Sequence, residues 1–302
     1  MKRILMASTL LMFLAGFTWT QMASNECGGF LPANDFQIPI GFVDTGLSEK
    51  EFNAVLDKYE AVYRPIFTAH GGKLQLNRKW TDPTVNAMAS RLWGPWQVDM
   101  YGGLARFPGM TADGMMMVVC HETGHHLGGG PKKGIFGWSW ATNEGGADYF
   151  SALKCMRKVF AAEDNEGVVL RLNIEPLIQQ KCLASFSNKN SAAICMRSAH
   201  AGLVLAKILG EIRANKIEPK IETPDISVVA VTFDEHPAAQ CRLDTYYQAA
   251  LCPVSADADL DEVDYHVNSC THPTYQEGLR ANCWFKPDAS DMPQHRLASS
   301  QN

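Results

Sequence analysis

The sequence predicts an α+β protein: a small sheet, a histidine-bearing helix, and then a mainly helical C-terminal part stapled by disulfides. Three observations lead there. Between residues 71 and 107, the segments "GGKLQLNRKW", "PTVNAMASRLW" and "PWQVDMYGGLARF" are short, rich in aromatic and branched residues and broken by Gly and Pro, as strands are. On either side of them, apolar residues recur at helical spacing. All nine cysteines (27, 120, 155, 182, 195, 241, 252, 270 and 283) follow a start that reads as an export signal, so pairing in an oxidising compartment is expected.

That start is "MKRILMASTLLMFLAGFTWTQMAS". Lys2 and Arg3 form a positive head, Ile4 to Phe17 an apolar stretch short for a bilayer span, and the small Ala23 and Ser24 follow. Residues 1–24 are therefore read as a signal peptide, which leaves roughly 280 residues for one large domain or a domain with a helical extension. Ser24, Asn25 and Glu26 do not form the run a lipid-anchored Cys27 requires. Of 27 Lys and Arg, two lie in the leader, against 32 Asp and Glu, and there is no basic stripe, so nucleic acid is not an expected partner. After the leader no stretch is apolar for long enough to cross a membrane; the best, Ala199 to Leu209, carries His200 and Lys207. The chain is expected to be periplasmic or secreted. Nine cysteines are odd in number, and Cys241 with Cys252 and Cys270 with Cys283 are the short local closures.

Taken in order, residues 25–47 are rich in Gly, Pro, Asn and Asp and read as irregular. Ser48, with Glu51 three residues on, makes a capping box; Phe52, Val55, Leu56, Tyr59, Val62 and Tyr63 then mark a helix. The three strand segments follow. Thr111 caps an apolar run from Met115 to Leu127, Asp113 suits the positive end of its dipole, and Gly128 to Pro131 stops it. A further helix is expected from about Thr142 to Ala162, then helices at roughly 168–184, 191–214 and 237–251. The domain reading is 25–162 for the catalytic part, 163–252 for a helical part completing the site, and 253–302 for an acidic, Cys-containing tail. Asp257, Asp259 and Asp261 lack the Gly and Glu of a calcium hand and read as a solvated loop.

The chemistry concentrates in "VVCHETGHHLGG", residues 118–129. His121 and His125 are four apart, so on a helix they share a face with Cβ atoms about 6 Å apart and two imidazoles can reach one zinc ion. Glu122 is rotated by about 100° and can address a water there without becoming a ligand. A catalytic zinc takes three protein ligands and one open position. The third is expected from Glu144 in "NEGGADYF", residues 143–150, with Asp148 one turn later placed to accept the second N–H of a ligand histidine. Gly145 and Gly146, costly inside a helix, are expected where the histidine helix approaches closely. His126 is turned off the ligand face and reads as structural. Cys120 points about 100° from His121 and reads as buried or as the partner of Cys155.

These residues resemble the gluzincin metallopeptidases, in which HExxH is followed by a ligand glutamate in an ExxxD helix. The interval from His125 to Glu144 looks like that of the thermolysin group, and "NExxAD" is similar to that group and to the CAAX prenyl protease and periplasmic BepA-like family. "HPAAQCRL", with His236, Pro237 and Arg242, resembles the HPxxxxR motif of the BepA-like family, while the ligand interval departs from that family's longer one. The resemblance covers three short stretches within residues 118–243. It implies a zincin-like fold and one Zn2+ held by His121, His125 and Glu144, with Glu122 as general base and Asp148 behind the ligands. It also implies that His236 and Arg242 lie near the metal and stabilise the oxyanion. Tyr149 and His200 are alternatives for that last role.

The function expected is exported zinc metalloendopeptidase, acting on a protein or peptide. Met100 to Phe107, "MYGGLARF", is a candidate edge along which substrate adds as a strand, with Gly102 and Gly103 allowing close approach; an ordinary hairpin is the other reading. That segment has no glutamate to capture a free α-amine, which favours endopeptidase over aminopeptidase. Two alternatives share the scaffold: a non-proteolytic zinc-binding factor for envelope quality control or assembly, and a zinc hydrolase of cell-wall peptides.

Overall fold

The structure is a computed structural model and describes residues 29–42, 46–91, 94–133, 139–212, 218–272 and 274–288. The leader and Cys27 lie outside the described residues. Helix α1 spans Glu49–Ala69 and starts as its sequence directs, Ser48 and Glu51 forming the reciprocal capping box. It buries Phe52, Val55, Leu56, Tyr59, Tyr63 and Phe67, one stripe at helical spacing.

Strands β1 (Leu74–Lys79), β2 (Ala87–Arg91) and β3 (Trp96–Tyr101) form one sheet in the order β1-β3-β2, with β3 parallel to β1 and antiparallel to β2. The fold class is thus α+β with a three-stranded sheet. The edge expected at Met100 to Phe107 is corrected. β3 is the central strand, and the chain turns straight from it into a short helix, α2 (Gly102–Ala105). The two glycines there serve the chain's own backbone: a Cβ on Gly102 would sit 1.8 Å from the Trp80 carbonyl oxygen, and one on Gly103 1.9 Å from that of Pro83.

Helix α3 (Ala112–Leu127) begins at Thr111, whose side chain accepts from Gly114 N, and is buried almost throughout. The expected helix at 142–162 begins at its Asn143 cap and comes in three parts: α4 (Glu144–Phe150), one π-helical turn (Ser151–Cys155) and α5 (Met156–Phe160). The expected helix at 168–184 is also divided. α6 (Asn165–Val169) ends before the chain restarts at Pro176, which opens α7 (Pro176–Ser185) from the first-turn position proline tolerates. Next come α8 (Lys189–Ile212) and α9 (Ala239–Leu251). By length and composition α8 is apolar enough to cross a membrane, yet 83% of its most apolar window is buried inside the protein, as in a core helix.

Four disulfides tie these elements: Cys120–Cys155, Cys182–Cys195, Cys241–Cys283 and Cys252–Cys270. Joining α3 to the turn after α4, Cys120–Cys155 is one of the two readings open for Cys120, and both cysteines are buried. The local closures Cys241–Cys252 and Cys270–Cys283 do not form. Cys241 and Cys252 sit at opposite ends of α9, about 16 Å apart at 1.5 Å per residue, beyond the reach of a disulfide. Each end instead takes a cysteine from the tail, which therefore runs back along α9. The tail is not merely solvated: Trp284 and Phe285 are buried, and Trp284 Nε1 donates to Thr245 Oγ1 at 2.9 Å.

Candidate metal centre

Because α3 is held beside α4, the three expected ligands meet. Gly124 makes the approach possible: a Cβ there would lie 2.7 Å from Ala147 Cα. This corrects the roles expected of Gly145 and Gly146. The ring of Trp284 fills the space over Gly145, and Gly146 meets Thr142 and Asn143. His121 Nε2 is 3.2 Å and His125 Nε2 3.7 Å from Glu144 Oε2, and the two imidazoles stand edge to face with centroids 4.7 Å apart. One donor atom from each of the three residues lies within 4.8 Å of the others, and all three residues are buried.

The ring tautomers follow from the partners. His121 Nδ1 donates to Asp148 Oδ1 at 2.7 Å and His125 Nδ1 to the Thr142 carbonyl at 2.8 Å. A carboxylate and a carbonyl can only accept, so in the neutral rings both lone pairs are at Nε2, facing Glu144. Asp148 is as expected for one histidine; the other is oriented by backbone. Fully buried, His121 Nε2 and both carboxylate oxygens of Glu122 and of Glu144 have no hydrogen-bond partner among the described residues. Buried polar atoms left in this state are costly unless a further group completes them, and two imidazole nitrogens with a carboxylate suit zinc.

The electrostatics of the metal-free site are divided. Burial pushes the Glu122 carboxyl up to about 8, the nearby His121 opposing the shift. Burial works against a charged His121, but Asp148 and Glu144 outweigh it and raise that imidazole to about 9. Burial lowers His125 to about 4. Glu144 would be raised by burial, yet His125, His121 and His236 hold it well below the usual carboxylate range. Lys133 Nζ stands 3.6 Å from Glu144 Oε1, a neighbour with no sequence signal.

His236 and Arg242 are both brought to the centre, in different ways. His236 Nε2 is 3.5 Å from Glu144 Oε2 and donates to the Gly29 carbonyl at 2.7 Å. Arg242 is fully buried behind Asp148 and does not face the ligand atoms. Its Nε and Nη2 grip the two carboxylate oxygens at 2.8 and 2.7 Å, and its Nη1 donates to the Phe30 carbonyl at 2.7 Å. These contacts hold Asp148 in place. Tyr246, one turn after Arg242, donates to Asp148 Oδ1 at 2.5 Å; the four-residue spacing from Arg242 was the signal for it.

The remaining candidates lie elsewhere. His126 donates from Nε2 to the Gln97 carbonyl at 3.0 Å, accepts from Arg91 Nε at 3.2 Å, and stacks on Trp96 and Trp140. It pins α3 to the sheet. Tyr149 donates to the Gly278 carbonyl at 2.6 Å, on the tail side. His200, on α8, is outside the ligand group. Compared with family models, with curated proteins and with solved structures, the chain has no match.

Proposed function

We propose that this protein is an exported zinc-dependent metallopeptidase of the gluzincin type, acting as an endopeptidase. The observation that carries the reading is the convergence of His121, His125 and Glu144, with both Nδ1 atoms held by acceptor-only oxygens and Glu122 alongside. When bound, zinc supplies Lewis acidity to a carbonyl and acidifies a water. Glu122 accepts a proton at a carboxylate oxygen and returns it to the departing amine. Asp148, clamped by Arg242 and Tyr246, keeps the His121 ring in its ligating orientation. His236, beside Glu144, is the group we assign to the oxyanion.

The peptide would lie along β2. This strand is an edge of the sheet beside α3, and Ala89 packs with Ala141, two residues before the Asn143 cap of α4. Among the described residues, Met88–Arg91 hydrogen-bond through their backbone only toward β3. Export agrees with the four disulfides.

Replacing Glu122 with Gln tests the reading. The variant is expected to retain one zinc per chain and to lose at least about a thousandfold in peptide turnover. Wild-type protein without stoichiometric zinc, or a variant with unchanged turnover, would overturn it.

A further inference from the structure

The candidate ligands and Glu122 are fully buried, so a peptide reaches them only after a neighbouring segment moves. One segment is held there through its main chain. His236 Nε2, 3.5 Å from Glu144 Oε2, donates to the Gly29 carbonyl at 2.7 Å. Phe30 N donates to the Ala87 carbonyl at 2.9 Å, at the start of edge strand β2, and the Phe30 carbonyl accepts from Arg242 Nη1 at 2.7 Å. The Asn86 amide then takes both backbone groups of Leu31: Oδ1 accepts from Leu31 N at 2.9 Å, and Nδ2 donates to the Leu31 carbonyl at 3.2 Å. Ala87 N donates to the same Oδ1 at 2.9 Å and so fixes which way that amide faces.

Two features separate this arrangement from ordinary packing. First, a carbonyl oxygen only accepts, so Gly29 is using the His236 Nε2 hydrogen that is assigned above to the oxyanion; the two oxygens compete for one place. Second, Phe30 meets Ala87 immediately before Met88–Arg91, the edge assigned to the substrate. The side chains of Phe30 and Leu31 are buried, and the Phe30 ring meets His121 edge to face at 5.2 Å.

We propose that His236, Asn86 and the Ala87 carbonyl form a subsite for the main chain of an extended, apolar peptide, and that Gly29–Leu31 occupies it in cis, keeping the chain latent until the segment is released. The latency rests on the peptidase reading above; the subsite rests on the hydrogen bonds. No covalent bond changes in the exchange: one peptide leaves and another takes over its donors and acceptors.

Gly29→Ala tests this without touching a candidate ligand. Gly29 has φ +81°, and a Cβ there would lie 2.9 Å from the Ala87 carbonyl oxygen and from both polar atoms of the Asn86 amide, so the segment is dislodged. The probe is fluorescein-labelled Gly-Phe-Leu-Pro-Ala, the sequence of residues 29–33, followed by anisotropy. Gly29→Ala is expected to bind it at least about tenfold more tightly than wild type, because the subsite is no longer occupied, and to turn over a peptide library at least about fivefold faster. Adding Asn86→Ala should weaken probe binding about tenfold again. In wild type, the Phe30 and Leu31 amides should exchange hydrogen at least about tenfold faster than those of the buried residues of α1. Equal probe affinity in wild type and Gly29→Ala, or exchange at Phe30 and Leu31 as slow as in α1, overturns the proposal and leaves the peptidase reading standing. Tighter probe binding by Gly29→Ala with no peptide turnover in either chain overturns the peptidase reading and the latency with it, and leaves the subsite.

Discussion

At the residue scale, His121 and His125 are one helical turn apart yet stand in opposite electrostatic settings. Asp148 accepts from one; a backbone carbonyl accepts from the other. Replacing Asp148 with Asn is expected to weaken zinc binding by about 10- to 100-fold, measured by competition with a chelating dye, because the ring loses its charged anchor. Arg242→Met would leave the Asp148 charge buried without its guanidinium, and a loss of about 3–5 kcal/mol in urea denaturation is expected. A pH dependence follows for the metal-free protein. The His121 imidazole is raised from 6.5 to about 9 when folded, so its contribution is fully present below pH 6.5 and is lost as pH rises through 9. Glu122, raised from 4.5 to about 8, acts with the same sign: its contribution is complete below 4.5 and lost as pH rises through 8. The melting temperature of chelator-treated protein is expected to fall between pH 6.5 and 9; a rise across that window would refute the assignment.

At the element scale, the site depends on how closely α3 and α4 can pack. Gly124 is the contact point, and the atoms nearest an added Cβ are Ala147 backbone atoms at 2.7 and 2.8 Å, which cannot rotate away. Gly124→Ala is therefore expected to cost about 1–3 kcal/mol in thermal denaturation and to weaken metal binding at the same time. As a control, Thr111→Ala removes only the cap of α3: about 1 kcal/mol of stability should go, with zinc stoichiometry unchanged. Helix starts were legible because capping is local, as Ser48, Thr111 and Asn143 each satisfy an N–H within three residues. The π-helical turn at Ser151–Cys155 and the interruption between α6 and α7 were not. Apolar spacing runs on through both, and Pro176 marks a helix start as readily as a break.

For the whole molecule, the C-terminal residues pack against the candidate metal centre. Trp284 fills the space over Gly145, next to the candidate ligand Glu144, and Cys241–Cys283 and Cys252–Cys270 hold the tail along α9. Trp284→Ala is expected to cost about 3–5 kcal/mol and to lower zinc affinity, whereas a tail acting only as a solvated extension would leave both unchanged. The boundary drawn at residue 253 follows composition and does not separate this packing. α9 contributes Arg242 and Tyr246 to Asp148 from nearly a hundred residues away in the chain, so the site is assembled from both sides of that helical part.

What the sequence determined by itself was local: the capping box at Ser48, the cap at Thr111, the four-residue spacing of His121 and His125, and that of Glu144 and Asp148. Each depends on helical geometry over a few residues, which side-chain type and spacing specify. Tertiary structure decided which partner each buried donor met. It turned Arg242 toward Asp148, gave His125 a backbone acceptor, set Gly124 against Ala147, and paired the α9 cysteines with the tail instead of with each other. Those outcomes depend on distances between elements remote in the chain, and such distances are set by packing volume and closure of the core, which no local pattern encodes.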